Sequence, residues 1–174
     1  MEKNSVAAGV AFVMPYTSYL NPYGGNVDME SQIFYPPHLY ANYKLNQRIS
    51  LGLSVNTPYG LGTKWEDTWT GRYISQEVNL QAFYIQPTIS YTYNDKIGIG
   101  AGFVFSTGNA DVRKAQQAGN TDVQAELQGN GNGMGYNVGI FTKLGSKLRL
   151  GIDYHSKIKI DLENGDATFN NVPA

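Results

Sequence analysis

Leu148 to Leu162 reads LRLGIDYHSKIKIDL. Its odd positions, from Arg149, Gly151, Asp153 and His155 to Lys157, Lys159 and Asp161, are charged, polar or glycine. Its even positions, Leu148, Leu150, Ile152, Tyr154, Ile158, Ile160 and Leu162, are apolar, with Ser156 the exception. A strand alternates its side chains between two faces, so the spacing predicts one continuous β-strand with an oily face and a charged face. It is longer than the usual globular strand of about five or six residues. It also exceeds the roughly nine to eleven residues that a tilted strand needs to cross a bilayer. A long strand of a soluble sandwich has the same pattern, so the neighbouring segments must decide.

Three stretches repeat one design: YKLNQRISLGL (43–53), YTYNDKIGIGA (91–101) and TKLGSKLRLGI (142–152). Each is a strand end, a short polar turn closed by Arg48, Lys96 or Lys147, and an apolar-x-apolar-Gly step. Loops at 46–48, 94–96 and 145–147 pair Leu45 with Ile49, Tyr93 with Ile97 and Leu144 with Leu148. Moving outward, Tyr43–Leu51, Tyr91–Ile99, Ile89–Ala101, Ile140–Ile152 and Val138–Tyr154 then share the oily face. A loop one residue shorter destroys that consistency, because a one-residue slip sends every side chain to the other face. The remaining strands are expected at Val6–Met14, Gln32–Leu45, Ile49–Thr57, Arg72–Tyr93, Ile97–Ala110 and Gln128–Leu144, seven in all. Pro58-Tyr59-Gly60-Leu61-Gly62 breaks the third. The other strand ends join through long loops at 15–31, 58–71 and 111–127, the last with a possible short helix at RKAQQA.

Short turns at one end and long loops at the other are the arrangement of an outer-membrane barrel. Charged residues are 16% of the chain and aromatics 13%, including 13 tyrosines. Tyr43, Tyr91 and Tyr93 near the turns suit an interfacial girdle. Arg149, Asp153, Lys157 and Lys159 avoid the oily face, where a mid-depth Lys or Arg costs roughly 2–4 kcal/mol. A net charge of −1 points to no nucleic-acid partner. With no cysteine there is no disulfide frame, thiolate metal site or cysteine nucleophile. Asp153 and His155 on one face are too few groups for a metal site, and GNGNGMG (129–135) lacks the context of a phosphate loop. Its glycines instead allow close approach of backbone or ligand. Trp65 and Trp69 read as interfacial anchors, or as a loop contact for an apolar ligand. No enzyme activity, cofactor or metal is expected. The N-terminal Met1-Glu2-Lys3-Asn4-Ser5 leads straight into a strand-like pattern, so the signal of an exported protein is expected outside this chain.

These residues resemble the outer-membrane fatty-acid and hydrocarbon transporter family of FadL/TodX type. The likeness rests on VAAGVAFVMP, FYPPHLYANYKLNQRISLGLSVNTPYGLGTKW, IGIGAGF, GNGNGMGYNVGIFTKL and YHSKIKIDLENG. It implies an all-β, antiparallel, up-and-down transmembrane barrel of fourteen strands, of which this chain holds about half. The family's plug, expected before Val6, is not in the chain, which reads as one partial barrel domain over residues 1–174. The implied function is passive uptake of long-chain fatty acids or other hydrophobic molecules across the Gram-negative outer membrane. Lateral exit is implied at a kink in the third strand, here Pro58, Tyr59 and Gly60. The implied partners are that ligand and outer-membrane lipid and lipopolysaccharide, around a barrel that is monomeric when complete. Parity puts Tyr40, Tyr84, Val104 and Phe141 on the inner wall as apolar contacts, and Arg149, Lys157 and Lys159 there as contacts for a carboxylate. The plainer roles are lumen charges paired with Asp153 and Asp161, and a strand-ending turn at Pro58. The alternative for the whole chain is a soluble antiparallel β-sheet binding or structural module.

Overall fold

The computed structural model describes residues 4–170 apart from Tyr23, Asp95, Asn120 and Ser146. Met1 to Lys3, and the middle residues of two of the three short turns, thus lie outside the described residues. The strands are β1 (Ser5–Val10), β2 (Ser18–Leu20), β3 (Asn26–Asp28), β4 (Pro37–Lys44) and β5 (Ile49–Lys64). They continue with β6 (Glu77–Asn94), β7 (Ile97–Ala118), β8 (Thr121–Leu144), β9 (Leu148–His155) and β10 (Asp161–Asn170). β1, β4, β5, β6, β7 and β8 follow one another in one antiparallel sheet, and β9 and β10 share the far edge of β8. That makes the seven positions expected, in up-and-down order. Among the described residues β1 and the β9–β10 edge have no further partner, so the sheet is an open wall. β2 and β3 form a separate hairpin.

The register follows the alternation. Tyr43 faces Leu51, Tyr91 faces Ile99, Ile89 faces Ala101, Ile140 faces Ile152, Val138 faces Tyr154 and Leu144 faces Leu148. The exception is Tyr93, which is not opposite Ile97: Asn94 takes that place and Tyr93 is the extra residue of a bulge. Asn46 and Asn94 cap their turns, each side-chain oxygen accepting from the two backbone N–H groups that open the next strand. The third turn uses Gly145 at φ +75°, a conformation that glycine adopts without a Cβ clash.

One face of the wall is an apolar field in the open. Ile89, Ile99, Val138, Ile140, Ile152 and Tyr154 are all exposed, Ile152 at 75%. The buried apolar residues among those described are few and mostly small: Met29, Trp65, Ala82, Val104, Ala115, Val123 and Ala125. A soluble sandwich requires a second layer over such a face, and among the described residues none covers it. A continuous apolar band on the outside of an antiparallel wall is a lipid-facing surface.

Four elements differ from expectation. Pro58-Tyr59-Gly60 does not end its strand, because β5 runs on to Lys64 with a bulge between Asn56 and Tyr59. The region 111–127 is neither a loop nor a helix but the tall end of the β7–β8 hairpin, paired as far as Ala118–Thr121. Both faces of this end carry polar residues, so the alternation fades although the ladder continues. The stretch 148–162 is two strands, not one, interrupted at 156–160. The tryptophans do not anchor in the interface. Trp65 is buried and stacks on Trp69 at 4.4 Å, and Tyr19 meets Trp69 edge-on at 5.7 Å. Together they form the small core of the loop between β5 and β6, which packs on the tall hairpin. There Ala115 N–H donates to Arg72 O, Gln76 N–H to Arg113 O, and both Arg72 Nε and Tyr73 Oη donate to Asp122 at 2.8 Å. Arg72 and then Tyr73 hold the Asp122 carboxyl below its usual range, and that carboxylate raises the Tyr73 phenol.

Candidate functional site

The other face lines a cavity of ≈ 1120 Å³ that reaches from Ser5 and Ala7 on β1 to Asp153 on β9. A polar track crosses it. Gln86 Nε2 donates to Asn137 Oδ1 at 2.9 Å, Asn137 Nδ2 donates to Asp153 Oδ1 at 3.4 Å, and His155 Nε2 lies 2.5 Å from Asp153 Oδ2. Tyr40 sits opposite Ser54 and Ala7 on this face, and Phe141 and Arg149 also line the cavity. Arg149 lies directly across from Lys143, two like charges side by side on neighbouring strands. Val104 is on the same face and is almost completely buried.

Val104 stands opposite Gly135, and the interrupted stretch lies over that glycine. Between Tyr136–Ser156 and Asn132–Asp161 the chain spends one residue more than β8 does, so its faces exchange. Ile158 and Ile160 therefore leave the oily exterior and lie over the inner face. A Cβ on Gly135 would meet Ile158 Cγ1 at 2.5 Å, and one on Gly133 would meet Lys159 O at 2.7 Å. Gly131, Gly133 and Gly135 form the floor that this close approach needs. Lys157 and Lys159 are consequently not on the inward parity expected of them. Lys159 Nζ is 2.6 Å from Asp161 Oδ1, the plainer pairing role, and Lys157 is exposed.

The bulge in β5 has the corresponding effect higher on the wall. Asn56 faces Tyr84 and Tyr59 faces Ala82, leaving Thr57 and Pro58 opposite Phe83 alone. Tyr59 is thereby turned onto the inner face, edge-on to Tyr84 at 6.4 Å. Gly60 follows in register with Gln81. The β4–β5 ladder ends just below, at Leu39–Val55. Above it the chain before β4 stays with the segment after β1, through Ala11 N–H to Pro36 O and the Val13–Phe34 bridge, while β5 stays with β6. The two ladders rejoin where Glu30 N–H donates to Lys64 O and Lys64 Nζ pairs with Glu30 Oε2 at 2.7 Å. A window without β4–β5 pairing is left between. Phe34 reaches across it, its Cζ 3.4 Å from where a Gly62 Cβ would stand. Gln32 Oε1, Asn56 Oδ1 and Thr57 Oγ1 are buried beside it with no hydrogen-bond partner, and so is Ser106 Oγ across from Tyr84.

Sequence reasoning missed Phe34, Lys143, Ile158 and Ile160. The alternating glycines of 129–135 signalled the last two, because three inward glycines in a row call for something to lie on them.

An antiparallel wall with a lipid-facing exterior and an inner face that lines a cavity defines one class, the transmembrane β-barrel of an outer membrane. Residues 4–172 match the family model described as outer membrane protein transport protein (OMPP1/FadL/TodX), and the chain belongs to that family of the outer membrane. It is 25% identical over 94% of its length to a 47 kDa outer membrane protein of Pasteurella multocida (strain Pm70), covering 42% of that protein. It is 26% identical over 73% of its length to a long-chain fatty acid transport protein of Salmonella typhi, covering 34% of it. To the Escherichia coli (strain K12) protein of the same name it is 23% identical over 98% of its length, covering 47% of it. The crystal structure of a Pseudomonas aeruginosa FadL homologue superposes with a TM-score of 0.66 at 18% identity, over 89% of this chain and 43% of that one. The chain thus spans less than half the length of these relatives.

Proposed function

We propose that this chain forms half of a monomeric fourteen-stranded barrel for passive uptake of long-chain fatty acids or similar apolar molecules, with lateral exit through the window beside β5. The observation that carries the reading is the split between the β4 and β5 ladders from Leu39–Val55 up to Glu30–Lys64. Backbone groups inside a bilayer remain unpaired only where they line a cavity or passage. An amphipathic cargo suits the inner wall. Tyr40, Tyr59, Tyr84, Phe141, Ile158 and Ile160 offer apolar surface, with Val104 buried beneath, and Arg149 with Lys143 offers charge for a carboxylate. The unpartnered hydroxyls of Thr57 and Ser106 beside the bulge can each donate to a carboxylate head group. Transport, not catalysis, is the role that this wall and the relatives' names support.

The bulge gives the test. Deleting Pro58 pairs Thr57 with Phe83 and leaves every other β5–β6 pair in register. Cells carrying the full-length protein with this deletion are expected to take up a radiolabelled long-chain fatty acid at the background rate, with the barrel still folded by heat-modifiable gel mobility. Uptake at the wild-type rate by the folded variant refutes lateral exit at this site.

A further inference from the structure

Six cations of this wall gather at the turn end. Arg48, Lys96 and Lys147 occupy equivalent positions in the three short turns, and all three are exposed. The turns are stitched sideways: Thr92 N–H donates to Arg48 O and Lys143 N–H to Lys96 O, both at 2.7 Å. Lys44, Lys143 and Arg149 stand at the same end on the inner face. Among the described residues none of these six pairs with a carboxylate; away from the turns, Lys64, Arg72, Arg113 and Lys159 do, and Lys114 and Lys157 do not. With no described carboxylate against them, these cations draw an anion from the surroundings.

Depth and spacing identify it. Each turn cation lies one residue before Ile49, Ile97 or Leu148, the first apolar residues of the outer face, so it sits at the boundary of the hydrocarbon layer. Adjacent turns are two strand spacings apart, about 10 Å. Charges spread along a circumference match a layer of separate head groups, not one multivalent ligand. Long basic side chains at such a boundary reach the phosphates of anionic lipid while their stems stay on apolar surface. Short turns face the periplasm. We infer that Arg48, Lys96 and Lys147 form a docking rim for anionic phospholipid head groups of the periplasm-facing leaflet. The inference rests on the barrel's orientation and is independent of its cargo.

The test uses the full-length protein in nanodiscs of mixed phosphatidylglycerol and phosphatidylcholine, with native mass spectrometry of the lipids it retains. Wild type is expected to retain phosphatidylglycerol preferentially, and the preference is expected to collapse as salt is raised. At about fivefold per cation, replacing Arg48, Lys96 and Lys147 together with Ser lowers relative affinity on the order of a hundredfold at low salt. The charge-keeping set Arg48→Lys, Lys96→Arg and Lys147→Arg retains it. A wild-type preference that ignores salt overturns the inference even if the serine variant does not fold. So does a preference unchanged in a folded serine variant, or one abolished by replacing Lys44, Lys143 and Arg149 instead, which places the anion in the lumen. Loss of uptake with the lipid preference intact separates a wrong cargo from a wrong rim.

Discussion

Replacing Ile152 by arginine tests whether the apolar face meets lipid. Ile152 points outward opposite Ile140 and is 75% exposed. It lies four residues beyond Leu148 at the turn, which is about 13 Å along the strand and about 10 Å in depth at a tilt near 40°. An apolar band about 25 Å tall has its midplane close to that level, where an outward arginine costs about 2–4 kcal/mol. Ile99, two residues beyond Ile97, lies about 5 Å deep, and arginine there costs roughly half as much. Arg149→Ser removes an inward charge beside Lys143, so its cost stays within about 0.5 kcal/mol. The full-length protein refolded into vesicles across a urea series, with folded fraction read from gel mobility, measures all three. The expected order of loss is Ile152→Arg, then Ile99→Arg, then Arg149→Ser. The first amounts to about 30- to 1000-fold in the folding equilibrium. Equal midpoints for Ile152→Arg and Arg149→Ser would refute a lipid-facing Ile152.

Two further outcomes follow from close contacts. Gly133→Ala puts a methyl 2.7 Å from Lys159 O and 2.9 Å from Ile158 Cγ2. It is expected to cost about 1–3 kcal/mol and to open Lys157 and Lys159 to trypsin. Gly98→Ala, whose nearest neighbour is Tyr91 O at 3.8 Å, serves as the control that changes neither. Asp122 governs the docked loop at both ends of the pH scale. Its carboxyl is depressed in the folded state, so its contribution is complete above the unfolded value of 3.8 and is lost as pH falls through the lower folded one. Tyr73 is raised, so its contribution holds below 10.0 and is lost as pH rises through the folded value. Hydrogen exchange of residues 72–76 in the wild type is expected to quicken at both extremes, and Asp122→Asn abolishes the acid limb. An acid limb that survives in Asp122→Asn counts against this pair.

The wall was legible from sequence where one face meets lipid, because charge is then excluded from every second residue and the turn length has one consistent solution. Tyr43–Leu51 and Ile140–Ile152 could be paired from their letters alone. Bulges defeat that reading. Ile158-Lys159-Ile160 alternates as regularly as Leu150-Gly151-Ile152, yet one extra residue exchanges its faces without altering the pattern. Tyr59 reached the inner wall in the same hidden way. The hairpin beyond Ala110 was missed for the opposite reason: with polar residues on both faces, strand pairing persists through backbone bonds that no side-chain period reports. Among the inner-wall residues, position was readable from parity for Tyr40, Tyr84, Val104, Phe141 and Arg149. The window was not, since it arises from where two ladders part and not from any one residue.

The β7–β8 hairpin carries the same ladder from Ile97–Thr142 at the turn end to Ala118–Thr121 at its tip, with no register shift along the way. At about 3.3 Å per residue its 22-residue strand is roughly twice as long as a crossing requires. The membrane wall and the mast outside are therefore a single beam. One unbroken ladder runs from the tip, past Ala115, to Ser106 and Val104 on the inner face.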